Sequence, residues 1–588
     1  MSFLVTTPLR EFWGTDSSTY YLNRLCLRDA SPESRATARV LPNPWDDRAR
    51  VARLNREIEE WNEQLLVDLT EAMNAIHGTT RTVRYWRIVA GSWSLRFLHV
   101  LTDRFAHIRA ALDRVPDLTT ILLDDSSFSV PRNGGHFVGL LQEDVFNQQL
   151  VTHVFAGLGL DFPRRSAARV AASQHSRSIS QTISELAVRT VASALPTPPL
   201  SFHDIYLPRA GVRALAREFG VAATAYERRL TAVAPIARAD SSLRRAFAER
   251  LAGRIAARGT SNEAKAIGKI ADIALPFMVP ITFLEDFGAM VRAVERAWPR
   301  PPRTLVSSGG WSTNEPFKFL AGHAIASGST LIGIQHGGGY GVMREIVNER
   351  YERSVVDKYG VWGWAPSSDR RIRNLPSPRI AHRASAIRQA RAPRDLLFVA
   401  NASSPYTLYL QALPLADHWW DYIDDECTFI GALSEATRER LRFRPYSVDY
   451  GYGLRRRLEA FPSVRYDADR SMDEALRTAA IVIIDHFSTG FSETLAADVP
   501  TIAFWRPNRW EVRAEVEPIM ARLRAASIVH DTPESAAAWT ERVVVAPEEW
   551  WASAEVQDAR LAFVERFALR ADPWVDDWRE FLTSEQAR

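Results

Sequence analysis

A glycine-rich segment, TLIGIQHGGGYG at residues 330–341, follows what is predicted to be a buried strand. Its consecutive glycines carry no Cβ, so the backbone can adopt positive φ and let another group approach closely. His336, just before them, is a residue type that acts as a general base or donates to a phosphate or carboxylate. We interpret the segment as a wall of a ligand cleft, with a tight surface turn as the alternative. The expected ligand-contacting residues are Gln335, Gly337, Gly338 and Gly339.

A second strand–loop–helix segment, DHFSTGFSETLAADVP, lies at residues 485–500. A helix start presents unpaired N–H groups and partial positive charge, which suits a phosphate, and Ser and Thr hydroxyls add donors. Glu493, one turn into the helix, could accept from ribose hydroxyls. In the alternative reading Ser488 and Glu493 only cap the helix. We favour nucleotide binding, and the residues expected to take part besides Glu493 are His486, Ser488, Thr489 and Gly490.

An irregular segment, RFRPYSVDYGYG at residues 442–453, supplies an arginine and an aromatic residue to the same part of the chain. Arg444 is predicted to hold the phosphate of the nucleotide through a charge-assisted hydrogen bond, with Tyr446 beside it. An exposed arginine that binds no ligand is the alternative.

Candidate catalytic carboxylates lie near the glycine segment. Glu315 and Lys318 begin the helix before it, and we expect both beside His336 at one sheet edge. Asp16 follows the first predicted strand and would join them if that strand were central. His336, Asp16 and Glu315 are therefore the catalytic candidates, and their spacing does not choose which carboxylate is the base or the nucleophile.

The sequence shows no pattern of metal ligands. Its 13 histidines form no HxxxH motif with a glutamate, and no DxD motif is flanked by apolar residues. We therefore predict a metal-independent reaction without a cofactor, in which a helix dipole, Arg and His stabilise a leaving phosphate.

Two stretches of alternating strands and helices position these residues. The first has strands RTLVSSGGW, STLIGIQH and DKYGVWGW, and the second has strands DLLFVANAS, IVIID and PTIAFW. Alternation of this kind builds doubly wound parallel sheets, which bind ligands beyond the C-terminal ends of their strands. The sequence thus predicts an α/β, GT-B-like fold in which two Rossmann-type domains face a cleft.

The predicted domains divide the chain in three. Residues 1–370 form a Rossmann-like acceptor domain that starts with the strand MSFLVTTPL and contains a helical insertion at about 165–300. Residues 390–545 form the domain that binds a nucleotide-sugar, and helices in 546–588 pack back on the N-terminal domain. The Pro- and Arg-rich stretch 365–394 is the predicted linker. Residues 85–112 are predicted to be helical, with a break at Gly91.

Composition limits the function classes. The chain has 588 residues, 46% of them hydrophobic, and a net charge of +3 with no long basic run, which argues against nucleic-acid binding. Two distant cysteines fit a reducing compartment, and the N-terminus lacks the features of a signal peptide. We expect a cytoplasmic protein with peripheral contact to the inner face of the plasma membrane.

An ordered set of motifs carries a family resemblance. It includes FWGTDSSTYYLNRLCL, RYWRIVAGSWSLRFLHVLTDRF, TLIGIQHGGGYG, RPYSVDYGYG and DHFSTGFSETLAADVPTIAFW. These resemble a bacterial family of surface-polysaccharide (O-antigen) transferases first identified in Leptospira, over most of the chain and least at 165–270. More distantly, the chain is similar to GT-B transferases of Kdo and sialic-acid type, which use CMP-activated sugars.

The resemblance implies a nucleotide site at Arg444, Ser488, Thr489 and Glu493, and an acceptor site near Asp16 and His336. The expected activity is transfer of a CMP-activated ulosonic acid, Kdo or a nonulosonic acid, to a lipid-linked glycan of O-antigen, lipopolysaccharide or capsule. Alternatives are a GT-B transferase of UDP- or GDP-sugars, a CDP-polyol phosphotransferase, and a non-catalytic sugar-binding scaffold.

Overall fold

The computed structural model describes residues 2–14, 18–115, 117–167, 196–225, 237–259, 261–389 and 392–584. Within these ranges the chain forms three parallel sheets, a separate pair of strands and many helices, which confirms the predicted α/β class. The helices are Pro32–Thr37, Arg48–His77, Val83–Arg114, Gly134–Leu140, Asp144–Gly157, Arg209–Phe219, Val221–Ala225, Ser241–Leu251, Arg254–Arg258, Asn262–Met278, Phe287–Ala297, Gly310–Thr313, Glu315–Ala326, Val347–Val355, Pro378–Gln389, His418–Ala432, Glu435–Arg440, Leu454–Leu458, Met472–Thr478, Thr489–Ala496, Glu517–Ala525, Pro533–Val543, Pro547–Trp551, Ala554–Phe567 and Val575–Thr583.

The first sheet is small and parallel, with the order β3-β2-β1-β4. Its strands are β1 (Ser2–Val5), β2 (Thr19–Tyr21), β3 (Arg39–Val40) and β4 (Leu118–Thr119). Next to it, β5 (Leu122–Leu123) pairs with β6 (Arg164–Arg165). The first strand of the chain therefore belongs to a sheet of its own and is not a central strand of the sheet that carries the glycine segment.

The second sheet is parallel, with the order β11-β10-β9-β8-β7. Its strands are β7 (Leu200–His203), β8 (Thr304–Ser307), β9 (Thr330–Ile334), β10 (Lys358–Val361) and β11 (Ile372–Asn374). The predicted strands at β8, β9 and β10 are confirmed. Strand β7 lies inside the stretch predicted as a helical insertion, and β11 lies inside the predicted linker; neither strand was predicted.

The third sheet has the parallel order β14-β13-β12-β15-β16-β17. Its strands are β12 (Asp395–Val399), β13 (Leu441–Arg444), β14 (Arg465–Tyr466), β15 (Ala479–Ile484), β16 (Thr501–Phe504) and β17 (Val529–His530). All six residues of β15 are buried, as expected for a central strand covered by helices on both faces. The strand order reverses direction between β12 and β15, where doubly wound sheets bind ligands.

Two long helices, Arg48–His77 and Val83–Arg114, pack against each other in the N-terminal half. The predicted break at Gly91 is absent, because this glycine lies inside the continuous second helix against Tyr351, whose ring approaches within 3.1 Å of the position a Cβ would take. No described helix combines the length and hydropathy that a membrane span requires.

The C-terminal helices contact two of the sheets. Ala554–Phe567 packs on Thr489–Ala496 and Glu517–Ala525, beside the third sheet. Val575–Thr583 inserts Trp578, Phe581 and Leu582 into the core of the second sheet. The last helices therefore connect the two large sheets, and the loops at their strand ends face each other as the predicted GT-B-like fold requires. The boundaries of the predicted domains remain predictions.

Candidate functional site

The glycine loop after β9 and the loop after β15 contact each other across the two large sheets. The N–H of Gly338 donates to Thr489 Oγ1 at 3.0 Å. A Cβ on Gly338 would lie 2.7 Å from the carbonyl oxygen of Ser488 and 2.8 Å from the Cα of Thr489, so only glycine fits this approach. The two segments that the sequence singled out separately are thus in direct contact, and together they form the candidate site.

The side chain of Gln335 holds the glycine loop in place. Its Oε1 accepts from the backbone N–H of Trp362 at 2.9 Å and from Nε1 of Trp364 at 2.8 Å, and its Nε2 donates to the carbonyl of Gly337 at 2.9 Å. All of these bonds are made within the protein and Gln335 is buried. The observed role of Gln335 is therefore to position the loop, and its predicted ligand contact remains a prediction.

His336 lies at the entrance of the glycine loop with its side chain 24% exposed. Its Nε2 is 3.0 Å from Glu352 Oε1 and 3.1 Å from the hydroxyl of Tyr340, which also donates to Glu352. Burial lowers the pKa of His336, but the charge and hydrogen bond of Glu352 outweigh it, so the pKa lies above its usual value. The arrangement favours an imidazolium, which donates to an anion.

Two residues that the sequence did not single out support His336. Glu352 is fully buried, and its second oxygen accepts from the hydroxyl of Tyr359 at 2.7 Å, so its position is fixed. Tyr206, which follows β7, has its ring centroid 5.3 Å from that of His336 and is 49% exposed. An exposed ring beside an imidazolium offers a surface on which a sugar or base can stack.

Glu493 forms a buried ion-pair cluster with two arginines of the helix Pro378–Gln389. Its oxygens accept from Arg379 at 2.7 Å and from Arg383, and the carboxylate side chain is 3% exposed. The positive charge of Arg379 also acts on His336 and lowers the pKa of its imidazole. Both arginines lie on Pro378–Gln389, in the stretch predicted as a linker. The predicted contact of Glu493 with ribose remains a prediction, since arginines already occupy its oxygens.

A short hydrogen-bond chain begins the helix Thr489–Ala496. Asp485 Oδ1 lies 2.7 Å from His486 Nδ1, and His486 Nε2 lies 2.8 Å from Ser488 Oγ. In the neutral imidazole Nδ1–H donates to the carboxylate, so Nε2 accepts from the serine hydroxyl. Ser488 Oγ also caps the helix by accepting from the N–H of Gly490 at 3.2 Å. The hydroxyl of Ser488 is therefore used internally, and the donors left for a phosphate are backbone N–H groups and the hydroxyl of Thr489, which accepts from Gly338.

The charge of Asp485 acts on two further buried groups. The pKa of Glu426 is raised well above its usual value by burial and by the neighbouring charge of Asp485. Burial and the charge of Asp485 also raise the pKa of Tyr422 well above its usual value, and the hydroxyl of Tyr422 accepts from the N–H of Asn401 at 3.0 Å. Tyr422 therefore bonds to the loop after β12 and feels the charge of Asp485, which begins the loop after β15.

A pocket of about 460 Å³ opens at the C-terminal ends of β12 and β13. Arg444 lines it, and its guanidinium is held by the carbonyl of Arg470 at 2.7 Å. Tyr446, which is 43% exposed, stacks on Tyr450 with the ring centroids 6.3 Å apart. The predicted pair of Arg444 and Tyr446 is thus brought together at one cavity, whose further lining includes Asn401, Tyr452, Tyr466 and Asp467.

Glu315 and Lys318 form hydrogen bonds with residues other than His336. Glu315 Oε2 accepts from the N–H of Gly134 at 2.7 Å, and Lys318, 1% exposed, donates to Ser92 Oγ at 3.1 Å. Burial raises the pKa of Glu315 and lowers the pKa of Lys318 to about 8. Their contacts are with the N-terminal helices, whereas those of His336 are with Tyr206, Tyr340 and Glu352.

Asp16, the other predicted carboxylate, falls outside the described residues, so its role remains a prediction. Among the described residues no group of three or more His, Cys, Asp or Glu side chains could hold a metal ion. The sequence did not indicate Glu352 or Arg379, because a glutamate in the charged helix VNERYERSV and an arginine in a Pro- and Arg-rich stretch both look like solvent-exposed residues.

Comparisons with known proteins place the chain in a family. No curated protein matches its sequence. A structure of the wall teichoic acid polymerase TagF, soaked with CDPG, aligns with 52% of this chain and 78% of its own, at 12% identity and a TM-score of 0.27. A family model described as LIC12162 family transferase matches residues 2–582. Because this match spans nearly the whole length, the chain belongs to the LIC12162 family of transferases.

Proposed function

We propose that this transferase is a glycosyltransferase of bacterial surface-polysaccharide biosynthesis. It moves a CMP-activated ulosonic acid, Kdo or a nonulosonic acid, to a lipid-linked glycan of O-antigen, lipopolysaccharide or capsule. The contact of Gly338 with Thr489 carries this proposal, because it joins a histidine-bearing loop of one sheet to a helix start of the other. Such a junction suits a donor whose phosphate and sugar bind to different sheets.

The pocket beside Arg444 supports a nucleotide as part of the donor. Its volume of about 460 Å³ lies within the usual range of ligand sites, and its tyrosines offer faces for a base. Arg444 is the last residue of β13, and its guanidinium would bind a phosphate at the C-terminal end of that strand. The preference for cytidine rests on the family resemblance.

The cations at the interface support the proposed chemistry. An acceptor hydroxyl attacks the anomeric carbon, the bond from that carbon to the phosphate oxygen breaks, and CMP leaves with the electron pair. His336, held as an imidazolium by Glu352, and Arg379 would stabilise the charge on the leaving phosphate together with the helix start. The proton of the acceptor passes to a carboxylate, for which Asp16 is our candidate. The reaction needs no metal or cofactor, and we place the protein in the cytoplasm, at the inner membrane face where the acceptor is anchored.

Titration calorimetry with CMP, UDP, GDP and CDP tests the proposal. We compare the natural protein with Arg444→Gln and with the matched control Arg442→Gln, since Arg442 lies two residues away on the same strand and pairs with Asp395 at 2.7 Å. CMP should bind best, and Arg444→Gln should weaken it about tenfold or more because a charge-assisted hydrogen bond is lost. Arg442→Gln should leave CMP binding unchanged.

The other outcomes each exclude part of the proposal. Preferential binding of UDP or GDP would keep the glycosyltransferase and replace its donor. Phosphate retained in the product of a transfer assay would identify a CDP-polyol phosphotransferase. Failure of all four nucleotides to bind would overturn the enzyme and leave a sugar-binding scaffold.

A further inference from the structure

A second large cavity, of about 650 Å³, opens at the C-terminal ends of β2 and β3. It lies between the small first sheet and the start of the helix His418–Ala432, so both halves of the chain contribute to it. Its apolar floor is formed by Leu27, Val40, Leu41, Pro42 and Trp420. Its rim carries Arg24, Arg35 and Arg457 together with Asn43 and acidic residues. This combination of an aromatic floor and a polar rim suits a saccharide.

The acidic residues of the rim already have partners. Asp417 accepts from the backbone N–H of Arg24 at 2.9 Å, and Asp421 accepts from the guanidinium of Arg24 at 2.9 Å. Asp46 Oδ1 lies 2.9 Å from Nε2 of His418. The carboxyl groups at this cavity are therefore engaged in hydrogen bonds within the protein.

Arg35 is different. Its Nε donates to the carbonyl of Leu27 at 3.1 Å and one terminal nitrogen donates to the carbonyl of Arg28, but among the described residues it forms no ion pair. Partial burial and the like charges of Arg456 and Arg457 lower its pKa. Asp29 acts on Arg35 from a longer distance, and no described carboxylate forms an ion pair with it. A guanidinium has five donors, so Arg35 retains donors for an anionic ligand.

The cavity adjoins the pocket beside Arg444. Trp420 of the first cavity packs edge-on against Tyr452 of the second, with the ring centroids 4.8 Å apart. The linings of the two cavities are therefore in contact at this pair of aromatic side chains. A donor in one and an acceptor in the other would lie close together.

We propose that this cavity binds an acidic sugar of the acceptor glycan, with the carboxylate on Arg35 and the sugar ring against the apolar floor. This inference rests on the proposed function and adds the chemical class of its acceptor. The ligand is recognised by one carboxylate and one ring face, so a neutral saccharide of equal length should bind more weakly.

Calorimetry on the full chain tests it with a galacturonic-acid tetrasaccharide and a neutral glucose tetrasaccharide. The acidic probe should bind about tenfold more tightly than the neutral one, and Arg35→Gln should remove that difference. Ala36→Trp, at an exposed residue of the lining, should block the cavity without removing any contact of Arg35. The matched control Arg39→Gln, also exposed and absent from the lining, should bind like the natural protein.

CMP binding, measured on each variant, separates this inference from the proposed function. The dissociation constant for CMP should be unchanged in Arg35→Gln, because Arg35 does not line the donor pocket. Equal binding of both tetrasaccharides, or no effect of Arg35→Gln and Ala36→Trp, would overturn the acceptor inference. Displacement of the acidic probe by inorganic phosphate at similar concentration would also overturn it, since the cavity would then be a general anion site. Acidic-probe binding without any nucleotide binding would instead overturn the proposed glycosyltransferase.

Discussion

The backbone N–H of Gly338 donates to the side-chain oxygen of Thr489, which lies 151 residues later in the sequence. This bond joins the strand-end loops of two separate parallel sheets. Ser488 and Thr489 present their backbone to the bare Cα of Gly338, so the approach depends on the absence of a side chain. The geometry of the candidate site is therefore set by a close contact between backbones.

Gly338→Ala should damage the site more than its neighbour Gly337→Ala. The new Cβ would collide with the Ser488 carbonyl at 2.7 Å, whereas a Cβ at Gly337 meets Tyr340 at 3.4 Å, an ordinary contact. We expect Gly338→Ala to lower the rate of transfer about a hundredfold, because the two loops are misplaced. We also expect it to lower the free energy of unfolding by about 1–3 kcal/mol. Denaturant unfolding and a transfer assay measure the two effects. Equal activity of the two variants would show that the contact does not position the site.

The sequence predicts a strand well where a continuous apolar run, bounded by polar residues, marks it. Strand β15 is a continuous apolar run bounded by a polar loop, and its burial on both faces follows from that pattern. The loops after β9 and β15 could also be predicted, since each follows such a strand. Strand β7 was missed because its four residues, LSFH, are short and follow a Pro-rich stretch within a largely helical region.

Pairing between distant residues was not accessible from the sequence. Glu352 and Arg379 are charged residues in charged segments, and only the packing of their helices shows that one is buried under His336 and the other meets Glu493. Conversely, Glu315 and Lys318 were expected beside His336 because they begin a helix at the same sheet edge. Their side chains instead turn toward Gly134 and Ser92, a direction that strand order alone does not determine.

Transfer should depend on pH through His336 and Glu352. Because Glu352 raises the pKa of His336, the imidazolium persists above the usual range, and kcat/KM should fall as pH rises through that raised pKa. Glu352→Gln removes the charge while burial remains, so the falling limb should move to lower pH. Tyr340→Phe keeps the charge of Glu352 and is the control. It should shift the falling limb of the pH profile less than Glu352→Gln does. An unmoved limb in Glu352→Gln would assign the titration to another group.

Glu493 should contribute to the stability of the fold through its ion pairs with Arg379 and Arg383 more than to the binding of a ligand. Glu493→Gln leaves Arg379 and Arg383 beside a neutral group, and breaking such a buried pair costs about 3–5 kcal/mol. Asp473→Asn is the matched control, because Asp473 pairs with the same Arg383 at 2.7 Å but is 40% exposed, where an ion pair contributes about 0–1 kcal/mol. Denaturant midpoints of the two variants compare them directly. Similar midpoints would show that Glu493 contributes no more than a surface carboxylate.

Asp417 should make the stability of the fold depend on pH in a specific direction. Burial, together with Asp421 and Asp46, raises its pKa to about 7, although the N–H and charge of Arg24 oppose this. The native state then binds a proton more tightly than the unfolded chain, whose pKa is about 3.9. The resulting stabilisation is complete below the unfolded pKa and is lost as pH rises toward about 7. A difference of about three pKa units at ~1.4 kcal/mol each gives an effect of roughly 4 kcal/mol.

Asp417→Asn keeps an acceptor for the N–H of Arg24 without the titrating group, so it should flatten the dependence of the unfolding free energy on pH in this range. The control Asp29→Asn, at an exposed residue, should leave the slope unchanged. Unfolding curves at a series of pH values measure this, and an identical slope in Asp417→Asn would mean that another buried acid carries the pH dependence.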